Sequence, residues 1–310
     1  MTFPGNVWAV ARPDPIGDAG VSISTAVQLS RPPGGTGSSG LPIVRATRNG
    51  QIRIAYRALI SGNTTVRYIE WSGDINQDPV EVGITSENLA SLSAFDLDGE
   101  DRPGIVYRVG DELRFARNTS GSWQSEVVGT ARGASIEVDL TFDAGGAPIL
   151  FVNGSWMEAD GSDLYVVTRG STGWSSALLD PGSPYGSGVL AGRDGLGQIH
   201  VTYAGLVAGR RAVGVPGAWD VNASLPMSRA VIDRPSAMVL GAGGEIHAIF
   251  NGSPMEYGYF DGCTWSLQDV DETGPLVGIA AVDGKPHIAY HKMAPSGSTA
   301  LELWYAHPTQ

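Results

Sequence analysis

The stretch QIHVTYAGLVAGRRAVGVPGAWDVNAS, residues 198–224, decides the fold, because its pattern recurs along the chain. A strand that ends in a turn containing Asp and Gly precedes it, so the stretch holds the second, third and fourth strands of a repeat. The second strand, QIHVTY, has counterparts spaced by 40 to 51 residues: QIRIAY (51–56), RPGIVY (102–107), APILFV (147–152), EIHAIF (245–250) and KPHIAY (285–290).

Repeats of this length, built from short strands and Gly-rich turns, are typical of a β-propeller with one blade per repeat. In four repeats the fourth strand begins at a Trp: Trp123, Trp174, Trp219 or Trp265. The third strands are VRYIEW (66–71), LRFARN (113–118), LYVVTR (164–169), RRAVGV (210–215), MEYGYF (255–260) and LELWYA (301–306). The sequence therefore predicts an all-β fold, a single six-bladed propeller domain of four-stranded blades over residues 1–310.

The closure of the predicted ring involves both ends of the chain. The last repeat stops after its third strand, and the N-terminal segment PGNVWAVARP puts Trp8 in the role of Trp265. We expect an N-terminal strand to complete the last blade, which removes an open sheet edge. Residues 14–40 do not fit the period. They form an insertion at a channel mouth, or VSISTAVQL (21–29), which alternates like a strand, is itself the closing strand.

Composition excludes several classes of partner. A net charge of −12 argues against nucleic acid, because phosphate neutralisation needs clustered Lys and Arg. No run of 18 apolar residues is present, so no membrane span is expected, and no signal peptide is visible. The single Cys263 rules out an internal disulfide. We expect a soluble protein, either cytoplasmic or secreted with its signal removed.

One position of the second strand attracts attention because three consecutive repeats place a histidine there. The six residues at this position are Arg53, Gly104, Ile149, His200, His247 and His287. The histidines either converge as proton-transfer groups or metal ligands, or repeat one structural contact per blade. The second interpretation is favoured, because residues that recur in every repeat rarely all perform chemistry.

The loop FDLDGEDRPG, residues 95–104, has alternating carboxylates at Asp96, Asp98 and Glu100. Oxygen ligands in this pattern suit a calcium ion. The loop resembles the Asp-rich hairpin loops of integrin-type propeller repeats, which implies a structural calcium site. An acidic β-turn without metal is the alternative, and no other cofactor is expected.

Charged residues on the innermost strands are candidates for catalysis. Alignment on the turns places Arg45 and Asp139 at one position, with Glu137 two residues away on the same face as Asp139. Such charges either pair with a neighbouring blade or line the channel as acids and bases. In an enzyme, Asp139 or Glu137 would be the general base. Its partners would be His287 and Tyr290, or His200 and Tyr203.

Two families resemble parts of the chain. DGCTW, residues 261–265, is similar to the Asp-box turn of sialidase-like propellers, which is structural in that family. IRIAY followed by VRYIEW resembles a blade of the six-bladed fucose lectins. That resemblance implies that Arg53 and Glu70 bind sugar hydroxyls and that Trp71 supplies an aromatic face. In the second blade Gly104 and Arg117 replace the Arg and Glu.

Three classes of function follow. We favour a lectin-like protein that binds a glycan at the channel mouth or between the first two blades, through Arg53, Glu70, Trp71 and Arg45. The alternatives are a glycan lyase or hydrolase with its active site on the channel, and a scaffold for a protein partner. The lectin hypothesis predicts that Arg53, Glu70 and Trp71 lie close together and are exposed. The enzyme hypothesis predicts a deep pocket that contains Asp139 beside a His or Arg.

Overall fold

Every regular element in the described part of the chain is a β-strand, which confirms the predicted all-β class. A computed structural model provides the structure. It describes residues 7–10, 26–30, 35–38, 42–60, 63–71, 80–84, 90–118, 121–157, 163–181, 188–204, 209–224, 235–241, 244–250, 255–271, 277–282, 285–293 and 301–306. Within these ranges no helix is long and apolar enough to cross a membrane.

The chain divides into two units, Met1–Thr130 and Ala131–Gln310. The first unit contains three groups of strands. One is the two-stranded sheet β1–β2, and another is a sheet in which β3, β5, β6 and β7 are neighbours and β4 also pairs with β5. The third is the antiparallel series β8, β9, β10 and the start of β11. Its strands are β1 (Val7–Val10), β2 (Ala26–Ser30), β3 (Gly35–Ser38), β4 (Ile43–Ala46), β5 (Ile52–Ile60), β6 (Asn63–Trp71), β7 (Val80–Gly83), β8 (Ala90–Leu97), β9 (Pro103–Val109), β10 (Glu112–Asn118) and β11 (Trp123–Phe142).

The second unit begins within β11, whose residues from Ala131 onward pair with β12. It holds the series from β11 to β14, two four-stranded sheets, β15–β18 and β19–β22, and the three-stranded sheet β23–β25. Its further strands are β12 (Pro148–Trp156), β13 (Asp163–Gly170), β14 (Gly173–Asp180), β15 (Val189–Arg193), β16 (Ile199–Ala204), β17 (Gly209–Val215), β18 (Ala218–Ser224), β19 (Pro235–Leu240), β20 (Ile246–Phe250), β21 (Met255–Phe260), β22 (Trp265–Asp271), β23 (Val277–Val282), β24 (Lys285–Met293) and β25 (Leu301–Ala306).

A repeated turn joins the first two strands of several sheets. The Asp98 carboxylate accepts hydrogen bonds from the backbone amides two and four residues later, at 2.8 and 2.9 Å. Asp143 and Asp194 repeat both bonds. Because the Asp side chain satisfies these amides itself, the turn forms from local sequence alone. The Asp and Gly turns noted in the sequence are therefore one recurring structural device.

Neighbouring sheets within each unit pack through apolar faces. In the first unit, Tyr68 of β6 contacts Phe95 of β8 and Trp123 of β11 edge to face, at centroid distances of 5.9 and 5.1 Å. In the second unit, Phe151 of β12 meets Trp219 of β18 in the same way at 5.6 Å. Two of the recurring tryptophans, Trp123 and Trp219, therefore pack against a residue of the preceding repeat.

The strands at the two ends of the chain do not yet test the predicted closure. β1, which contains Trp8, pairs with β2, and β2 corresponds to the end of VSISTAVQL. Residues 14–25, 31–34 and 39–40 of the irregular segment lie outside the described residues. Among the described residues, the last sheet holds the three strands β23–β25. The number of blades and the register of closure stay predictions.

Candidate ligand-binding site

A row of charged residues crosses the first large sheet near its β4–β5 turn. Arg45 on β4 lies opposite Arg53 on β5, and Arg53 lies opposite Glu70 on β6. Residues directly opposite on antiparallel strands share one face of the sheet, so the three side chains form a continuous polar strip. Ala55 and Tyr68, two residues further along, share that face and pack toward β8–β11. The strip therefore borders the junction between these two sheets of the first unit.

Arg53 and Glu70 form a loose ion pair in this strip. Arg53 Nε lies 3.9 Å from Glu70 Oε1 and has no hydrogen-bond partner among the described residues. Arg53 Nη2 donates to the Gln51 side chain at 2.9 Å. The Glu70 side chain is 45% exposed, whereas that of Arg53 is 12% exposed. The pair thus presents a solvent-accessible carboxylate beside a mostly buried guanidinium, so the expected exposure is found for Glu70 and not for Arg53.

Tyr68 connects this pair to the core. Its hydroxyl donates to Glu70 Oε1 at 3.2 Å while its ring packs against Phe95 and Trp123. Burial, reinforced by the negative charge of Glu70, raises the pKa of Tyr68 well above its usual value. The hydroxyl therefore stays protonated and acts as a permanent donor that orients the Glu70 carboxylate.

The second sheet contributes two carboxylates to the same place. Asp96 on β8 accepts a hydrogen bond from Arg45 Nε at 3.0 Å. Asp101, in the β8–β9 turn, accepts from the Arg48 backbone amide at 3.2 and 3.3 Å. Arg45, Arg53, Glu70, Asp96 and Asp101 are named here the inter-sheet polar cluster. All five residues belong to the first unit, so the cluster lies between two sheets of the same unit.

The prediction that Trp71 supplies an aromatic face for a sugar is wrong. Its side chain is buried, at 4% exposure, and packs with Ile54, Tyr56 and Ile69 on the opposite face of the sheet. The reason is the two-residue alternation of a strand, which turns Trp71 away from its neighbour Glu70. Partly buried Trp123 stands instead on the side of the polar cluster, against Tyr68.

The three residues predicted to bind calcium each have cationic partners. Asp96 pairs with Arg45, and Glu100 pairs with Arg102 at 2.8 Å. The Asp98 side chain, fully buried, accepts from Arg102 Nε at 2.7 Å and from Arg117. Among the described residues, no three His, Cys, Asp or Glu side chains are placed to hold a metal ion. Calcium binding at this loop stays a prediction.

Arg45 and Asp139 do not occupy equivalent positions. Arg45 stands two residues before the first residue of its turn, Thr47, whereas Asp139 stands four residues before Asp143. The alignment was wrong because a shift of two residues leaves the same side chains on the same face, so the alternation of apolar and polar residues does not reveal it. Asp139 Oδ1 accepts from the Leu140 amide at 2.9 Å, and Oδ2 accepts from the Ala191 amide of β15 at 2.7 Å. Glu137 is exposed.

The two described histidines of the repeated position make structural contacts. His200 bonds to Asp194 and Arg211, both at 2.9 Å, and His247 bonds to the Tyr257 hydroxyl at 2.7 Å. Tyr203 donates to Asp180 at 2.6 Å instead of meeting His200. The side chains of His287 and Tyr290 lie outside the part of the chain that the structure describes. Catalytic roles for these residues stay predictions.

Comparison with known proteins finds similar structures but no matching sequence family. No family model matches the chain, and no curated protein does. Three similar solved structures are AofleA from Arthrobotrys oligospora, the fucose-specific lectin from Aleuria aurantia, and the α-L-arabinofuranosidase Arb93A from Fusarium graminearum.

The three likenesses extend over most of each chain at low sequence identity. AofleA has a TM-score of 0.59 at 12% identity, covering 87% of this chain and 83% of that one. The Aleuria lectin has a TM-score of 0.57 at 16% identity, covering 85% and 90%. The arabinofuranosidase has a TM-score of 0.54 at 12% identity, covering 89% and 94%. These structures are β-propellers, and the likeness places this chain in the same fold.

Proposed function

We propose that the protein binds a carbohydrate at the inter-sheet polar cluster. The observation that supports this most directly is the Arg53–Glu70 pair, an exposed carboxylate 3.9 Å from Arg53 Nε, a buried donor that lacks a hydrogen-bond partner among the described residues. Sugar hydroxyls both donate and accept hydrogen bonds. A carboxylate and a guanidinium side by side therefore suit two vicinal hydroxyls, and charge-assisted bonds of this kind are strong.

Trp123 would supply the apolar side of this site. Its ring packs against Tyr68, and its Nε1 has no partner among the described residues. A sugar ring presents C–H groups on one face, which pack against an aromatic ring while its hydroxyls reach polar groups beside it. The proposed ligand contacts are accordingly Arg53 and Glu70 for the hydroxyls and Trp123 for the ring face, with Arg45 at the edge of the cluster.

Similar structures support the same class of function. The Aleuria aurantia protein is described as fucose-specific, and AofleA was also studied as a variant with three arginines replaced by alanine. The arabinofuranosidase was solved with an iminosugar inhibitor. The enzyme hypothesis has less support in this chain, because backbone amides bond to both carboxylate oxygens of Asp139.

We further propose that the sheets are six blades of one ring and that an N-terminal strand completes the last of them. One observation supports six blades, and a second supports completion of the last blade. Apart from the β1–β2 pair, the described strands fall into six groups when the two parts of β11 are assigned to separate groups. The last group has three strands where β15–β18 and β19–β22 have four.

The proposed function is tested by titrating the protein with a panel of neutral monosaccharides and oligosaccharides that includes L-fucose, with and without calcium. Isothermal titration calorimetry measures affinity, and thermal shift measures the preference of the ligand for the folded state. Loss of a charged hydrogen bond costs about 1.5–3 kcal/mol. We therefore expect Glu70→Gln to weaken binding of the responding sugar at least about tenfold.

A matched control comes from the second sheet of the same unit. Glu112 is also an exposed carboxylate with an Arg partner, Arg114, at 2.7 Å. Glu112→Gln should leave affinity unchanged, and Trp123→Phe should weaken it and alter the fluorescence change on binding. The carbohydrate hypothesis fails if no sugar binds the unmodified protein, and the site is misplaced if Glu70→Gln and Glu112→Gln bind equally well.

A further inference from the structure

A buried chain of polar groups runs through the sheet β15–β18 in the second unit. His200 Nε2 lies 2.9 Å from Asp194 Oδ2, and His200 Nδ1 lies 2.9 Å from Arg211 Nη2. The side chains of His200 and Asp194 are 4% and 3% exposed, and Arg211 is buried. This site has no residue in common with the inter-sheet polar cluster.

The chemistry of arginine fixes the proton on His200. A guanidinium has only donors, so Arg211 must donate and His200 Nδ1 must accept. The single ring proton of a neutral imidazole is then on Nε2, which donates to the Asp194 carboxylate. A second proton on Nδ1 would displace the bond from Arg211 and place two cations within hydrogen-bond distance.

Arg211 connects this chain to the neighbouring sheet. Its Cζ lies 4.2 Å from the centroid of the Phe260 ring on β21. On the same side, the β19–β20 turn approaches so closely that a Cβ on Gly244 would lie 3.1 Å from Asp194 Oδ2. Thr202, on the same face as His200, contacts Met238 of β19 at 3.6 Å. Displacement of Arg211 therefore acts on the contact between the sheets β15–β18 and β19–β22.

We infer that His200 is an acid-sensitive latch: neutral, it joins Asp194 to Arg211 and holds the sheets β15–β18 and β19–β22 together, and its protonation releases that contact. The charged groups that face it are Asp194 from its own turn and Arg211 from β17. Asp220 of β18 acts on Arg211. The named contacts from β19–β22, Gly244 and Phe260, are uncharged, and Glu245 acts on His247.

The sign of the pH effect follows from burial. Burial lowers the pKa of His200 below its usual 6.5, the bond to Asp194 opposes this, and Arg211 adds to it. A state in which His200 is released therefore binds more protons than the closed state below pH 6.5. Stability from the latch is complete above that pH and is lost as the pH falls through and below it.

The tautomer is measured first on the unmodified protein. Imidazole ¹⁵N NMR should show His200 as the Nε2–H tautomer and still neutral at pH values where an exposed histidine is protonated. Amide hydrogen exchange then follows β16, β17 and β21, corrected for intrinsic rates. As the pH falls from 6.5 toward the lowered pKa of closed His200, one extra proton in the open state increases the opening equilibrium by up to about tenfold per pH unit.

His200→Gln keeps a donor and an acceptor but cannot titrate, so its amide exchange in these strands should lose this pH dependence. His200→Asn is the second variant if the Gln variant is unstable. Thr202→Val is the control on the same face, and it should keep the full pH dependence. An Nδ1–H tautomer, an ordinary His200 pKa, or an equal acid response in both His200 variants and the unmodified protein would overturn the latch.

Discussion

Asp98 illustrates how one residue type can form a turn and anchor charge at the same time. Its Oδ1 accepts two backbone amides of its own turn, as Asp143 does in a later repeat. Its Oδ2 accepts from Arg102 and Arg117. Gly104 lies opposite Arg117 on the neighbouring strand.

This comparison predicts the cost of removing each Asp. Asp143→Ala loses only the turn bonds and should lower the free energy of unfolding by about 1 kcal/mol. Asp98→Ala also leaves Arg102 and Arg117 without their buried carboxylate and should cost about 3 kcal/mol. Urea denaturation of both variants, with calcium or with EDTA, measures the difference. Equal costs would show that the arginine contacts contribute nothing, and a cost present only with calcium would favour a metal site.

Strands β14 and β11 each contain a β-bulge where they pair with the preceding strand. In the β13–β14 pair, Leu164 is opposite Asp180 and Tyr165 is opposite Leu178, so Leu179 is the extra residue. In the β10–β11 pair, Leu113 is opposite Gly129 and Arg114 is opposite Val127, so Val128 is the extra residue. The bulged residues Leu179 and Val128 are each 8% exposed, whereas Leu178 and Val127 are 51% and 50% exposed. The bulge thus turns an additional apolar residue into the core at the cost of exposing the one before it.

Adjacent leucines provide a test of this geometry. Leu179 belongs to the core cluster that includes Phe151, Leu164 and Tyr203. Leu179→Ala should therefore lower the free energy of unfolding by about 2–3 kcal/mol, in the range for buried leucines. Leu178→Ala should change it by no more than about 0.5 kcal/mol, as for surface positions. Chemical denaturation of the two variants distinguishes them, and a larger effect at Leu178 would show that the bulge lies elsewhere.

At the scale of the whole molecule, the repeat could be predicted from sequence because one turn recurs: the described turns that begin at Thr47, Asp98, Asp143, Asp194 and Gly241 form the same two backbone hydrogen bonds. The Arg53–Glu70 pair could also be predicted, since a short hairpin fixes which residues face each other. Strand alternation alone places Trp71 on the face opposite Glu70, so its error was avoidable, whereas its burial depends on what packs against that face. The partners of Asp98 and Asp139 come from residues 19 and 52 positions away, which local patterns do not encode.

Closure of the ring is the last property that a repeat pattern alone leaves open, and truncation tests it. If the N-terminal strand containing Trp8 is the fourth strand of the last sheet, its removal exposes the edge of β25 to solvent and to other molecules. A variant lacking residues 1–12 should then unfold at a clearly lower temperature and aggregate on heating. A variant lacking only residues 1–4 retains β1, Val7–Val10, and should behave like the full chain in calorimetry. Identical melting of both truncations and the full chain would exclude closure by this strand and favour residues within 14–40.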